Sequence, residues 1–229
     1  SDRKITRIGD EHRAYQLNYG ANNLVSEIRD PANRTLGFTY NASRRIETIT
    51  DADGGQTRYE YVGDDEFPAN PVCTQGTDGL RIKRIHYPGM EHPTENDHGV
   101  SRRVLRQLAT TGIETLFEYE VVGACVTHID NPAERCSGSQ CPRIDSWENH
   151  QAGWRIVGGQ VVATTTIDGA GNRKTQRFNA QKLVTDTIKP DGTTINRKVD
   201  GNGRITQRTD ALGRTTRYSY DAKGNVIRK

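Results

Sequence analysis

Residues 192–229 read GTTINRKVDGNGRITQRTDALGRTTRYSYDAKGNVIRK, and one pattern stands in them twice. Gly192 and Gly213 are 21 residues apart, as are Val199 and Tyr220, and Ile205 and Val226. A fixed period of this length marks a repeat architecture, in which each unit buries its apolar face only by stacking on its neighbours.

The same pattern extends outward from this stretch. HRAYQLNYGANNLVSEIRD (12–30), NRTLGFTYNASRRIETITD (33–51) and GGQTRYEYVGDDEFPAN (54–70) run head to tail. GIETLFEYEVVGACVTHID (112–130) is a further copy, and the last three begin at Gly171, Gly192 and Gly213. Aligned, they hold an apolar eighth place: Tyr19, Tyr40, Tyr61, Tyr119, Phe178, Val199 and Tyr220. The fourteenth place is apolar as well, with Val25, Ile46, Phe67, Cys125, Val184, Ile205 and Val226. The ninth is often Asn or Asp, as in Asp200 and Asp221, and Gly203 or Gly224 follows three residues later. Asx side chains bond their own backbone and Gly accepts positive φ, so these are turn residues. A second turn, such as DPAN at Asp30 or DALG at Asp210, separates the copies.

Between the turns lie short alternating segments such as TRYSY and INRKV, the pattern of half-buried strands. Each unit therefore reads as a β-hairpin of about 21 residues. The predicted fold is all-β, a curved or spiralling antiparallel sheet built of tandem hairpins, with almost no helix. A lone hairpin is marginal in water, so only the array is stable. The whole of 1–229 reads as one array. Residues 12–70 and 154–229 are regular, 71–111 an irregular repeat with an insertion, 112–130 a repeat, and 131–153 a Cys/Pro/Gly-rich surface insertion. In 71–111, RIKRIHYPGM (81–90) and HGVSRRVLRQL (98–108) are the expected strands.

RYSYDAKGNVIRK, with its 21-residue spacing, its Tyr220–Asp221 pair and Gly224, resembles the YD repeat of bacterial Rhs proteins, Tc-toxin BC components and teneurins. Val199–Asp200–Gly203 and Tyr40–Asn41 look like degenerate versions of it. The resemblance covers 12–70 and 171–229 well and 112–130 less closely. It implies a β-sheet ribbon that spirals into a hollow shell, enclosing a toxin in Rhs and Tc proteins and serving adhesion in teneurins. This chain would then be an arc of such a shell. Its partners would be the rest of its own shell polypeptide and an enclosed toxin domain. It would be secreted or displayed on a bacterial surface, with a dedicated secretion system as a route of export. A cell-surface adhesion or carbohydrate-binding module is the alternative. The aspartyl protease that follows the repeats in toxin-bearing members carries Asp-Pro-x-Gly motifs. Here DPAN at Asp30 and NPAE at Asn131 lack the glycine, so Asp30 reads as a turn residue.

No residue constellation suggests catalysis, and no cofactor or metal is expected. Cys125, His128, Cys136 and Cys141 are suitable ligand types for zinc, but their spacing is not that of a finger. Disulfides among Cys73, Cys125, Cys136 and Cys141 and free thiols are the other options. Because Cys125 falls in an apolar column, Cys136 and Cys141 are the expected bonded pair. His86, His92 and His98 read as loop residues, and the Tyr column as packing rather than a sugar platform.

Only 32% of residues are hydrophobic and the mean hydropathy is −0.82, too wet for an ordinary two-layer core. Net charge is +3, from 32 basic and 29 acidic residues read as evenly mixed, so no nucleic-acid partner is expected. No apolar run is long enough to span a bilayer. The polar start, Ser1 to Arg7, reads as lacking a cleaved leader. Unpaired strand edges at the ends of an open arc predict edge-strand self-association.

Overall fold

The computed structural model describes residues 4–10, 13–63, 81–131, 133–139 and 141–229. Phe67, Cys73 and Pro132 lie outside the described residues. The chain is nearly all β, and seventeen strands belong to one antiparallel sheet that does not close. It groups into two compact units, one of residues 1–62, 79–95 and 109–111, the other of residues 63–78, 96–108 and 112–229.

The first unit holds β1 (Arg7–Gly9), β2 (Ala14–Tyr19), β3 (Val25–Arg29), β4 (Thr35–Tyr40), β5 (Ile46–Thr50), β6 (Gln56–Tyr61), β7 (Ile82–His86) and the start of β8 (Thr94–His98). Register separates two faces. Leu17 lies opposite Ile28, Ile28 opposite Leu36, Phe38 opposite Ile49, and Tyr59 opposite Ile85. The other face carries Asn18 opposite Glu27, Thr48 opposite Arg58, Arg58 opposite His86, and Glu60 opposite Arg84. Alternation along each strand is the direct cause.

The second unit holds the rest: β9 (Val104–Leu108), β10 (Glu114–Val122), β11 (Cys125–His128), β12 (Ile144–Asp145), α1 (Trp147–Gln151), β13 (Trp154–Val157), β14 (Gln160–Ile167), β15 (Arg173–Phe178), β16 (Val184–Ile188), β17 (Thr194–Val199), β18 (Ile205–Thr209), β19 (Thr215–Arg217), β20 (Ser219–Tyr220) and β21 (Val226–Arg228). Here the eighth-place face is mixed, with polar pairs beside the apolar Phe178–Val184 and Val199–Ile205. Gln176 opposes Thr187, and Arg197 opposes Arg208.

Each regular hairpin pairs its eighth place with its fourteenth, as in Tyr19 with Val25, Tyr40 with Ile46, Phe178 with Val184, Val199 with Ile205, and Tyr220 with Val226. A register shift precedes the eighth place in every one of these. The apolar columns thus mark β-bulges, which bend a strand and increase its twist. In the closing turn, the Asp200 carbonyl accepts from the Gly203 amide at 3.0 Å, and Asp200 N–H donates to Arg204 at 2.9 Å. Gly203 has φ +81° at the place where Lys182 and Arg44 take the same left-handed conformation. The turn therefore needs the backbone conformation, which Gly adopts without strain and the other two adopt at a cost.

Three expectations about the middle of the chain change. The residue opposite Tyr61 is Ile82, so Ile82 fills the fourteenth place that the sequence assigns to Phe67. Register then returns sooner than expected, because His98 and Val104 stand 21 residues before Tyr119 and Cys125. A regular turn joins them, with Arg102 donating to the Gly99 carbonyl at 2.9 Å. Residues 98–108 are accordingly one turn flanked by two strands, not a single returning strand.

The copy at 112–130 does not close as a hairpin. β10 runs straight through Tyr119 to Val122 and pairs with β14, opposing Val121 with Val161. Residues 123–159 fill the connection, so Cys125 leaves the apolar column and opens β11, opposite Val157 on β13. This insertion is broader than 131–153, and it is not merely a surface loop. Val126 and Ile156 from it bury with Val121, and Tyr119, Ala124, Cys136, Trp154 and Val161 pack around them. Each such aliphatic side chain contributes about 1.5–3 kcal/mol on burial. A hairpin at 119–125 would forgo that core, which explains why the local repeat pattern loses.

Candidate functional site

The repeated structural device is a clasp between successive hairpins. The Tyr40 hydroxyl donates to the Val25 carbonyl at 2.6 Å, that of Tyr61 to Ile46 at 2.7 Å, and that of Tyr220 to Ile205 at 2.7 Å. Tyr119 reaches Val104 at 2.9 Å, and Tyr19 reaches Ile5 at 2.8 Å. The acceptor in each full repeat is the fourteenth-place residue of the preceding copy. A cation beside that acceptor lies over the ring: Arg45 on Tyr61 at 5.4 Å, Arg204 on Tyr220 at 5.0 Å, and Arg103 on Tyr119 at 5.9 Å. Such contacts attract the positive head to the ring face. Burial pushes the Tyr61 and Tyr119 phenols up, keeping both as hydrogen donors.

Among the described residues, the column residues named from sequence are half-buried, apart from Val226 on β21, which is 54% exposed. Phe178 and Val199 have no hydroxyl, so their repeats lack the clasp. Sequence reading took the tyrosines as packing residues and missed the bond. The available signal was the basic residue just before the fourteenth place, at Arg45, Arg103 and Arg204.

The turn carboxylates are equally specific. Asp200 accepts from the Asn202 and Arg204 amides at 2.9 Å, and Asp221 accepts from the Asn225 amide at 2.8 Å. The backbone bond from Arg204 holds the Asp200 carboxyl below its usual range, and the side-chain bond from Asn225 does so for Asp221. These residues build turns.

Charged side chains on the strands mostly neutralise one another. Arg84 bridges Glu95 at 2.7 Å and Glu60 at 3.4 Å, while His86 meets Glu60 at 2.9 Å. Burial pushes the Glu60 carboxyl up, but the bonds from His86 and Arg84 outweigh it and leave it lowered. His86 is thus a sheet residue, His92 is exposed, and His98 is buried.

Among the described residues, the most buried ion pair joins Arg103 and Asp145 at 2.8 Å, with side-chain exposures of 13% and 5%. Arg103 also donates to the Gly158 carbonyl at 2.5 Å, and Ser101 bonds the Ile156 carbonyl. Burial pushes the Asp145 carboxyl up even beside Arg103. This constellation ties the insertion to the turn at 99–103.

Cys136 and Cys141 are joined as a disulfide, with Cα atoms 5.7 Å apart. Cys125, a disulfide candidate that its apolar column set apart from the expected pair, is disulfide-bonded as well. That removes the thiolates that zinc would need, and His128 contacts the Ala152 carbonyl at 2.9 Å. Among the described residues, no group of three His, Cys, Asp or Glu could hold a metal ion. No helix among the described residues is long and apolar enough to cross a membrane.

A family model described as RHS Repeat matches residues 19–56 and 199–229. A curated protein of Dickeya dadantii (strain 3937), named probable deoxyribonuclease RhsB, is 23% identical across 90% of this chain. Among solved structures, the crystal structure of TcdB2-TccC3-TEV covers 94% of the chain at 9% identity, with a TM-score of 0.40. TcdB2-TccC3 without its hypervariable C-terminal region covers 94% at 10% identity, with a TM-score of 0.34. The chain spans 15% of the length of the curated relative and 11% and 12% of those two solved chains. Its 21-residue columns and Asx turns, together with the two matched segments, make the chain similar to the Rhs-repeat, or YD-repeat, family.

Proposed function

We propose that this chain is a non-catalytic wall segment of an Rhs/Tc-type shell, secreted or surface-displayed, which encloses a toxin polypeptide for delivery to competing bacteria or a host. The observation that carries this reading is the clasp. At Tyr40, Tyr61 and Tyr220, tyrosine hydroxyls bond a hairpin to the one before it, so these repeats extend the sheet without needing a second layer. Glu60, Glu95, Asp97, Glu114 and Glu118 on the strands are occupied in ion pairs, and His86 meets Glu60, which supports a structural role. The apolar face of the first unit, from Leu17 to Ile85, offers an enclosed chain a surface that tolerates exposed hydrophobic side chains. Its work would be steric, excluding proteases and holding the cargo apart from its targets.

The test is limited proteolysis of the product of the full reading frame that contains these repeats. A polypeptide encoded beside them should resist protease while the wall is intact and become cleavable when the wall is opened by denaturant. Equal digestion in both states, or a frame that encodes only repeats, would overturn the reading.

A further inference from the structure

The net charge of +3 conceals a division. Residues 154–229 contain fifteen Lys and Arg, six Asp and no Glu, whereas residues 1–153 contain seventeen basic and 23 acidic residues. The even mixing read from the totals therefore does not hold. Five of the six aspartates, Asp168, Asp191, Asp200, Asp210 and Asp221, lie in turns and accept amide hydrogen bonds there. Asp186, the one acid on a strand, stands opposite Arg177 and Asn196. Its face is the one away from the eighth-place column.

The column face of β14 to β19 consequently carries no carboxylate. Lys174 opposes Thr166, Gln176 opposes Thr187, and Arg197 lies directly opposite Arg208. Arg197 donates to the Thr187 hydroxyl at 2.9 Å. Neither Arg197 nor Arg208 has an ion-pair partner among the described residues. Like charges facing each other across strands are destabilising. Elsewhere the chain avoids this arrangement, as Arg84 with Glu95, Arg106 with Asp97 and Glu114, and Arg173 with Glu118 show. An anion between the two guanidinium groups would turn the repulsion into attraction, and planar guanidinium matches carboxylate in a two-pronged fit.

Two kinds of polyanion could supply it. Proteins that hold single-stranded nucleic acid place aromatic rings among their cations to stack the bases. Here Thr166, Gln176 and Thr187, groups that hydrogen-bond to peptide backbone, stand beside the cations, while the rings of the same face, Phe178, Tyr218 and Tyr220, are half-buried, and Tyr220 is taken up by Ile205 and Arg204. We infer that the Lys174–Arg197–Arg208 face binds acidic, extended polypeptide segments. The inference rests on the reading of the sheet as a wall facing a polypeptide, and it names the part of that polypeptide the second unit holds.

The test is fluorescence anisotropy of the full 229-residue chain with a labelled poly-glutamate peptide, a poly-glutamine peptide and an oligothymidylate of matched charge. Poly-glutamate should bind, poly-glutamine should not, and oligothymidylate should bind more weakly. Arg197→Glu with Arg208→Glu should weaken poly-glutamate binding by more than about tenfold, because like charges would then face each other. Arg34→Gln, in a turn of the first unit, should leave it unchanged. Arg208→Thr removes the like-charge contact, so it should fold with a Tm at or above the parent's while still losing affinity. No binding of poly-glutamate, tighter binding of the oligonucleotide, or full affinity in both Arg208 variants would each overturn the inference. Protease protection is read independently, so a failure here leaves the wall reading standing on its own test.

Discussion

The Tyr40 hydroxyl lies 2.6 Å from the Val25 carbonyl, fifteen residues earlier in the chain and one hairpin away. A net hydrogen bond of this kind contributes about 0.5–1.5 kcal/mol. Tyr40→Phe keeps the ring and removes only the bond, so it should cost about 1 kcal/mol in urea unfolding. A change below measurement error would mean that the carbonyl is satisfied equally well by water.

Val199 occupies the same column without a hydroxyl, and its preceding fourteenth-place residue is Val184. Val199→Tyr should add a clasp to the Val184 carbonyl. Tyr is also favoured in half-buried strands. The expected gain is about 1 kcal/mol, seen as a raised Tm. A lowered Tm would show that the clasp depends on more than its column.

Arg103 is the buried partner of Asp145, and its loss would leave an uncompensated charge in a place of 5% side-chain exposure. Arg103→Met should cost about 3–5 kcal/mol. Adding Asp145→Leu should restore most of it, since a well-packed apolar pair is often as stable as a buried ion pair. A double-mutant cycle measures both. No recovery in the double variant would locate the importance of Arg103 in its bond to Gly158 instead.

The turn carboxyls of Asp30, Asp168, Asp200, Asp210 and Asp221 are held below their ordinary values by hydrogen bonds. For a depressed carboxyl, the stabilisation is complete above the unfolded value of about 3.9 and disappears as pH falls through the folded one. Tm should therefore be nearly flat above about pH 5 and fall steadily below about pH 4. Asp200→Asn keeps an acceptor for the Arg204 amide and should soften that acid slope. An unchanged slope in a variant with all five replaced would place the acid sensitivity elsewhere.

Much was readable in the order of residues. The 21-residue spacing of Tyr, Asx and Gly determines hairpins, turns and strand alternation, because each depends on backbone preferences within a few residues. Tyr40 facing Ile46 and Asp200 closing its own turn are local consequences of this kind. Tertiary structure decided the rest. Val121 and Ile156 lie 35 residues apart, and burying them together outweighed the local pattern that places Cys125 in a hairpin. The clasp from Tyr40 to Val25 joins two copies. Spacing within one repeat carries no information about which groups meet across the next strand. That is settled only when register, bulge and insertion bring the strands together.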